Sequence, residues 1–302
     1  MPLLVVGSIA FDSVETPRGK VDRMLGGAAT YVALAASQFT PVRVVGIVGD
    51  DFGAEDARVF EKRRIDTGGI EHAPGKTFFW AGRYNVNMNE RTTLVTELNV
   101  FSGFRPKLPD SYRNSRFVFL ANIDPSLQLS VLQQVRIRPK LVAMDTMNYW
   151  IEGAPKELRK VLRHVDILVI NDDEARQLTG EHNLTRAAKS VFRMGPRILV
   201  IKRGEHGALM LSGNSIFSAP AFPLERVCDP TGAGDSFAGG FMGHLAQVGR
   251  INPGALRRAM IYGSVMGSFA VEQFGLKRIQ ALRLQEINQR AGKFAQLTQF
   301  EL

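Results

Sequence analysis

Short apolar segments alternate with longer segments of helical periodicity along most of the chain. Six runs rich in Val, Ile and Leu are apolar on both faces, as strands of a parallel sheet covered on both sides must be. These predicted strands cover 3–8, 42–48, 117–121, 141–145, 167–171 and 198–202. Predicted helices cover 28–38, 54–63, 126–136, 156–163, 184–194, 235–247, 253–273 and 282–291. Strand and helix in alternation predict an α/β fold with a doubly wound sheet flanked by helices.

One region interrupts this alternation. Segments 77–87 and 92–100 are rich in β-forming residues and flank a turn at 87–90, which predicts a hairpin. We expect this hairpin to project as a small β lid over about 76–100, joined by an extended segment at about 11–24. No linker or change of composition divides the chain, so residues 1–302 are predicted to form a single domain with these lid segments inserted.

Charge and cysteine content narrow the class of protein. The chain has 38 Lys and Arg against 29 Asp and Glu, a net charge of +9. The basic residues are scattered and not interleaved with aromatics, so we expect anionic small molecules and no nucleic acid as partners. The apolar start of the chain ends at Asp12, too short for a membrane span of about twenty residues. The single Cys228 cannot form an internal disulfide, which predicts a reducing, cytoplasmic compartment.

The most informative segment is Cys-Asp-Pro-Thr-Gly-Ala-Gly-Asp-Ser-Phe at 228–237, followed by a helical run. Its glycines permit backbone conformations closed to other residues, so Gly232, Ala233 and Gly234 can present free N–H groups at a helix N-terminus. Asp235 then stands beside an anion site, where a carboxylate can hold and deprotonate a hydroxyl, as a phosphotransferase requires. The alternative is an aspartate that only caps the helix, but capping explains neither glycine.

The string at 229–237 resembles the C-terminal signature of the ribokinase-like carbohydrate and nucleoside kinases, the PfkB family. The resemblance implies a ribokinase-like fold and ATP-dependent phosphorylation of an alcohol group on a sugar, a nucleoside or a related polyol. It further implies that Gly232, Ala233 and Gly234 form the anion hole for the transferred phosphate, and that Asp235 is the catalytic base. ATP and Mg²⁺ are the implied cofactors, and a monovalent cation is a further candidate.

Segments near the N-terminus resemble the family's acceptor site. Asp12 ends a segment similar to the first strand, whose aspartate binds substrate hydroxyls, although it could simply end a strand. Gly26 and Gly27 are similar to the glycine pair that opens a helix over the acceptor, although a glycine pair can be a plain packing turn. Many members carry asparagine where this chain has Tyr31. A tyrosine there could offer its aromatic face to a nucleoside or another bulky acceptor, or only fill space.

Two later segments resemble the family's nucleotide and metal elements. Asn171 and Glu174 look like the Asn-x-x-Glu element linked to magnesium and phosphate, which implies Glu174 as a metal contact. The same residues are typical of a capping box. Lys202, Gly204 and Gly207 resemble the strand-turn-strand beside the nucleotide, although a lysine at a strand end can also extend into solvent.

Asp145 follows a predicted strand, where the carboxyl ends of a doubly wound sheet face the binding crevice; a plain turn is the alternative.

Two other functions compete with a kinase. A non-catalytic nucleotide- or sugar-binding regulator on the same fold would have no need of Asp235. A dinucleotide-binding oxidoreductase would require Gly-x-Gly-x-x-Gly after the first strand, where this chain reads Gly-Ser-Ile-Ala-Phe-Asp at 7–12. The predicted partners are therefore ATP and a small-molecule acceptor, with a homodimer through the lid. The identity of the acceptor and the hydroxyl that is phosphorylated stay open.

Overall fold

The structure is a computed structural model that describes residues 1–299. Its strands are β1 (Leu3–Val6), β2 (Ala10–Thr16), β3 (Gly19–Gly26), β4 (Val42–Val48), β5 (Asp66–His72), β6 (Phe78–Tyr84), β7 (Arg91–Glu97), β8 (Phe117–Leu120), β9 (Leu141–Met144), β10 (Ile167–Asn171), β11 (Ile198–Lys202), β12 (Ala208–Ser212) and β13 (Ser215–Ala219). Its α-helices are α1 (Ala28–Ala36), α2 (Ala54–Glu61), α3 (Pro125–Gln134), α4 (Asn148–Gly153), α5 (Pro155–Leu162), α6 (Asp172–Thr179), α7 (Leu184–Met194), α8 (Ala233–Val248), α9 (Pro253–Ala270), α10 (Lys277–Ala281) and α11 (Leu284–Thr298).

The main sheet has the strand order β13-β12-β11-β10-β9-β8-β1-β4-β5. In this spatial order, all neighbouring strands between β11 at one side and β5 at the other pair in parallel. Strands β12 and β13 add an antiparallel edge beyond β11. From β1 the chain proceeds outward to β4 and β5, then returns to β8 and continues in the opposite direction. In open α/β sheets this reversal places a crevice at the carboxyl ends of the strands, here beside β1.

Two apolar layers cover the sheet, which explains why its central strands are apolar on both faces. One layer packs α1, α8, α9 and α11 against the sheet, and the other packs α3, α5 and α7 against the opposite face. The predicted doubly wound α/β fold is confirmed.

A second, four-stranded sheet forms the lid, in the order β3-β2-β6-β7. The β2–β3 hairpin comes from the N-terminal segment and the β6–β7 hairpin from the later one, and β2 pairs in parallel with β6. The structure thus joins the two predicted lid segments in one small sheet.

Several elements differ from the predicted ones. The edge strand β5 was not predicted because its Gly68-Gly69 pair is typical of a turn; a Cβ on Gly69 would lie 2.6 Å from the Val44 carbonyl oxygen, so glycine lets β5 approach β4. The last helix runs to Thr298 through Gly292, beyond the predicted end at 291, because Phe294 is buried against the core. The helix predicted over 253–273 ends at Ala270.

Candidate active site

The glycine-rich turn at 229–234 is held in place by a buried carboxylate. Oδ1 of Asp229 accepts the N–H of Thr231 at 2.9 Å, and Oδ2 accepts the N–H of Gly275 at 2.9 Å. The carbonyl oxygen of Val271, just past α9, accepts the N–H of Cys228 at 2.7 Å. These bonds fix the turn between α9 and the start of α8.

Gly232 is the residue that makes this turn possible. It is the N-cap of α8 in the left-handed conformation, with φ of 72°, and no side chain caps the helix. Gly234 does not have a positive φ, so the freedom expected of both glycines is required only at Gly232. The N–H of Ala233 donates to the carbonyl oxygen of Pro230 at 3.2 Å, so it is not the free donor that the sequence predicted. The N–H groups of Gly232 and Gly234 have no partner within residues 1–299, which is the geometry of an anion site.

Tyr31 lies directly beneath this turn. Its side chain is 1% exposed, and a Cβ on Gly232 would overlap its ring. Its hydroxyl is buried without a hydrogen-bond partner among residues 1–299, and burial raises its pKa well above the usual value. The ring supports Gly232 and offers no open face for stacking, so the space-filling interpretation of Tyr31 fits the structure and the stacking interpretation does not.

Asp235 lies in the first turn of α8 and does not cap it, so the capping interpretation is wrong. Its carboxylate accepts no hydrogen bond within residues 1–299. Burial raises the pKa of this carboxyl, and the positive charges of Lys202 and Arg91 oppose the rise. A free, partly buried carboxylate beside an anion site is the arrangement that general-base chemistry requires.

Lys202 ends β11 and reaches this same turn. A Cβ on Gly234 would lie 2.9 Å from Nζ of Lys202, so the amine occupies the space that a side chain at 234 would fill. Its charge lowers the pKa values of Asp145, Glu174 and Asp235, in each case against a larger rise caused by burial. Lys202 is therefore a positive charge at the anion site, and not a lysine that extends into solvent.

The structure brings Asp12, Gly26 and Gly27 together at the start of α1. Gly26 leaves room for the Asp12 carboxylate, which a Cβ there would overlap. Gly27 has φ of 89° and lies against the backbone of Ser8. Burial raises the pKa of the Asp12 carboxyl to about 7; the N–H of Gly27 opposes this, and the charges of Asp229 and Asp235 add to it. A buried carboxyl group thus faces the catalytic aspartate candidate across the site.

Asn171 and Glu174 form the capping box of α6. The N–H of Glu174 donates to Oδ1 of Asn171 at 2.7 Å, and the N–H of Asn171 donates to Oε2 of Glu174 at 2.8 Å. Oε1 of Glu174 accepts no hydrogen bond within residues 1–299. Nearby, Asp145 is 4% exposed and its Oδ1 has no partner in the same range. Burial and the charge of Asp235 raise the pKa of Asp145, so both carboxylates belong to the site.

Gly204 and Gly207 shape the turn between β11 and β12. Both have positive φ, 52° and 79°, and a Cβ on Gly207 would overlap the carbonyl of Ala219. The tip of the β6–β7 hairpin reaches this turn, where Nδ2 of Asn89 donates to Oε1 of Glu205 at 3.1 Å. The lid therefore spans the site from Asp12 to the turn after β11.

The pfkB family carbohydrate kinases match this chain over residues 3–280. The chain belongs to the pfkB family. It is 32% identical to the cytidine kinase of Thermococcus kodakarensis over 248 residues, covering 80% of this chain and 87% of that protein. It is 26% identical to the nucleoside kinase of Methanothermobacter thermautotrophicus, covering 90% of each.

Solved structures agree with this fold. The Burkholderia thailandensis nucleoside kinase in complex with inosine has a TM-score of 0.76 and 21% identity, covering 99% of this chain and 100% of that one. The Giardia lamblia ribokinase has a TM-score of 0.80 and 20% identity, covering 97% and 98%. This pfkB protein is therefore an ATP-dependent kinase that phosphorylates an alcohol group of a sugar, a nucleoside or a related polyol. The non-catalytic regulator is not favoured.

Three lid residues of this kinase face the site although no sequence motif indicated them. Strand β6 places Trp80 beside Asp12, its register partner on β2. Tyr84 lies four residues after Trp80 on the same face of the strand. Its hydroxyl accepts a hydrogen bond from Oγ1 of Thr231 at 3.2 Å. Arg91 is the register partner of Tyr84 on β7. The alternation of side chains along a strand places Trp80 and Tyr84 on one face of the hairpin, but it does not say which face turns toward the site.

No helix within residues 1–299 is long and apolar enough to cross a membrane.

Proposed function

We propose that the acceptor of this kinase is a nucleoside, whose base stacks on Trp80 while its ribose hydroxyls bind Asp12. The observation that carries this proposal is the position of Trp80. It is partly exposed on the site-facing side of the lid, directly beside Asp12. Its indole lies over Gly82, where a Cβ would overlap the ring, and Nε1 donates to Oγ1 of Thr93 at 3.3 Å.

The lid thus presents a flat aromatic surface of the kind on which bases stack. Two relatives, the cytidine kinase and the nucleoside kinase, support the same class of acceptor. The role once expected of Tyr31 passes to Trp80 in this proposal.

The chemistry follows from the residues around Asp235. The acceptor oxygen attacks the γ-phosphorus of ATP, its proton passes to the Asp235 carboxylate, and the bond between the γ-phosphorus and the bridging oxygen breaks to release ADP. The free N–H groups of Gly232 and Gly234, together with Lys202, hold the transferred phosphoryl group, while the N–H of Ala233 closes the turn on Pro230. Gly204 and Gly207 shape the turn on the nucleotide side. In this scheme Asp235 is the base and Asp12 orients the acceptor.

The donor set fits a divalent cation. Asp145, Glu174 and Asp235 lie close enough to influence one another's pKa, and each of the first two has a carboxylate oxygen without a hydrogen bond within residues 1–299. No three His, Cys, Asp or Glu side chains in that range are grouped to hold a metal by themselves. Mg²⁺ characteristically takes one or two carboxylates and completes its shell with water and phosphate oxygens. We assign Glu174 as the protein contact of Mg²⁺. A cation bound there would neutralise the charge of the ATP phosphates.

Three further expectations stay predictions. These are a monovalent-cation requirement, a cytoplasmic location and a homodimer. The lid gives the last of them a structural basis, because all seven residues of its edge strand β7 are exposed.

Fluorescence of a single tryptophan tests the acceptor. The chain has two tryptophans, Trp80 and Trp150, so Trp150→Phe leaves Trp80 as the only reporter. We expect cytidine and inosine to quench this signal and free ribose to leave it unchanged.

Kinetics provide the second arm. Trp80→Ala should raise the nucleoside KM about 5- to 150-fold, the range that follows from about 1–3 kcal/mol of stacking, while Trp80→Phe retains most of the affinity. Trp150→Ala is the matched control. A wild-type preference for ribose or fructose over nucleosides, or an equal loss on sugars and nucleosides in Trp80→Ala, would contradict the proposal and leave the kinase assignment intact.

A further inference from the structure

The inner face of the lid carries one arginine. Directly paired residues of neighbouring strands share a face, and residues two apart on a strand do so as well. Tyr84 marks the face that turns toward the active site, because its hydroxyl contacts Thr231 in the glycine-rich turn at 3.2 Å. Arg91 is the register partner of Tyr84, so it shares that face. Arg83, one residue earlier on β6, lies on the opposite face.

The charge of Arg91 reaches carboxylates on three different elements. It lowers the pKa of Asp12 on β2, Glu174 on α6 and Asp235 on α8, in each case against a larger rise caused by burial. A charge that acts on all three carboxylates must lie between them, above the centre of the site. Its guanidinium also lies 5.4 Å from the centre of the Trp80 ring.

Arg91 forms no ion pair with a carboxylate within residues 1–299. Within residues 1–299 no carboxylate oxygen lies within 4.0 Å of its guanidinium, and its side chain is exposed. The other lid arginine on this hairpin shows the contrast, because Arg83 pairs with Glu15 at 3.0 Å. Arg91 does contact the Tyr84 hydroxyl, whose pKa it lowers against a larger rise caused by burial. Its remaining donors are available for an incoming anion, and the glycine-rich turn beneath it is where that anion would lie.

We propose that Arg91 is a further catalytic residue, which contacts the phosphoryl group during its transfer from ATP to the acceptor. The N–H groups of α8 and Lys202 hold this group from below, and none of them reaches it from the lid side. A planar guanidinium has several donors for the equatorial phosphoryl oxygens, on which charge is spread in the transition state. Because it stands on the lid, Arg91 also couples lid position to chemistry. The proposal rests on phosphoryl transfer alone and not on the nucleoside as acceptor.

Kinetics of matched lid variants test this role. Arg91→Gln should lower kcat by about 10²–10³-fold, the effect of removing one preorganised donor to a developing anion, with little change in acceptor KM. Arg91→Lys should keep the charge and recover only part of the rate. Arg83→Gln is the control, since it removes an arginine from the outer face of the same hairpin, and it should retain the wild-type kcat.

Two further measurements separate catalysis from lid structure. The wild type should bind ADP, Mg²⁺ and aluminium fluoride, with the sugar or nucleoside that it phosphorylates fastest, far more tightly than ADP and Mg²⁺ alone. This complex mimics phosphoryl transfer, and Arg91→Gln should lose most of the difference. Methylguanidinium should restore activity to Arg91→Ala. A kcat within threefold of wild type, an equal loss in Arg83→Gln, or a loss confined to acceptor KM would overturn the proposal. Failure of the Trp80 experiments alone would leave it standing.

Discussion

At the scale of single residues, the site is marked by polar side chains that have no hydrogen-bond partner. Asp235 has no hydrogen bond within residues 1–299, Asp145 has a buried unpartnered oxygen, and Lys202 fills the space above Gly234. Buried polar groups normally find partners, so their concentration at one crevice indicates a site that substrates complete.

Asp235→Asn should abolish turnover while ATP still binds. The amide keeps the shape of the side chain but cannot accept a proton, which should cost about 10²–10⁴-fold in kcat. Steady-state kinetics and calorimetric titration of ATP measure the two effects. Near-normal phosphorylation by the purified variant would show that another group is the base.

The two glycines of the turn should respond differently to alanine. Gly232→Ala forces a side chain into a left-handed conformation, at a cost of about 1–2 kcal/mol, and into the Tyr31 ring. Its Tm should therefore fall by about 2–3 °C from the backbone conformation alone, and further from the overlap with the Tyr31 ring. Gly234→Ala meets only the flexible end of Lys202, so it should melt like the wild type but lose about tenfold in kcat as the amine is displaced. Equal melting temperatures for the two variants would contradict this distinction.

At the scale of elements, the lid hairpin is fastened at both ends of the site. Tyr84 contacts the glycine-rich turn, and Asn89 at the hairpin tip contacts the turn after β11 through Glu205. The same hairpin supplies Trp80 and Arg91, so in both proposals its position determines whether acceptor and phosphate meet their contacts.

Asn89→Asp should loosen the hairpin tip, because it places a second carboxylate against Glu205. An exposed hydrogen bond contributes about 0.5–1.5 kcal/mol, so amide exchange over 85–90 should quicken by up to about tenfold. Glu205→Gln in the same background removes the repulsion and should restore the wild-type rate. Unchanged exchange in Asn89→Asp would mean that this contact does not hold the lid.

Helix packing in the core hides a titratable group. His244 on α8 is 7% exposed and stacks on Tyr262 of α9 with ring centres 4.5 Å apart. Burial lowers its pKa to about 4, and the charge of Arg258 adds to this. The unfolded chain protonates this histidine near pH 6.5, so its contribution to stability is complete above that pH and is lost as the pH falls toward 4.

The histidine should therefore account for about 3 kcal/mol of acid destabilisation between pH 6.5 and 4. His244→Phe keeps an aromatic ring without a titrating group, so its unfolding free energy should fall less over this range than that of the wild type. Urea unfolding at several pH values measures the difference, with His164→Gln on the surface as control. Parallel pH profiles for wild type and His244→Phe would contradict the assignment.

For the whole molecule, the open edge of the lid predicts a homodimer. Strand β7 is exposed throughout, with Leu94 48% and Val95 40% exposed, and an unprotected edge strand is a template for pairing with a second copy. Light scattering after gel filtration should give twice the chain mass. Leu94→Lys with Val95→Lys should give monomers, whereas Ile216→Lys, on the edge strand β13 of the main sheet, should not. A monomeric wild type at micromolar concentration would refute the lid dimer.

The sequence alone predicted the doubly wound sheet and the glycine-rich turn before a helix, because these depend on local patterns. Strands apolar on both faces must lie inside a covered parallel sheet, and a Gly-Ala-Gly turn before a helix exposes N–H groups wherever it is placed. Only the tertiary structure decided where Tyr31, Trp80 and Arg91 lie relative to the glycine-rich turn. Which face of the lid turns inward depends on contacts such as that between Thr231 and Tyr84, which are 147 residues apart. Periodicity groups residues on a face, but it carries no information about what the face meets.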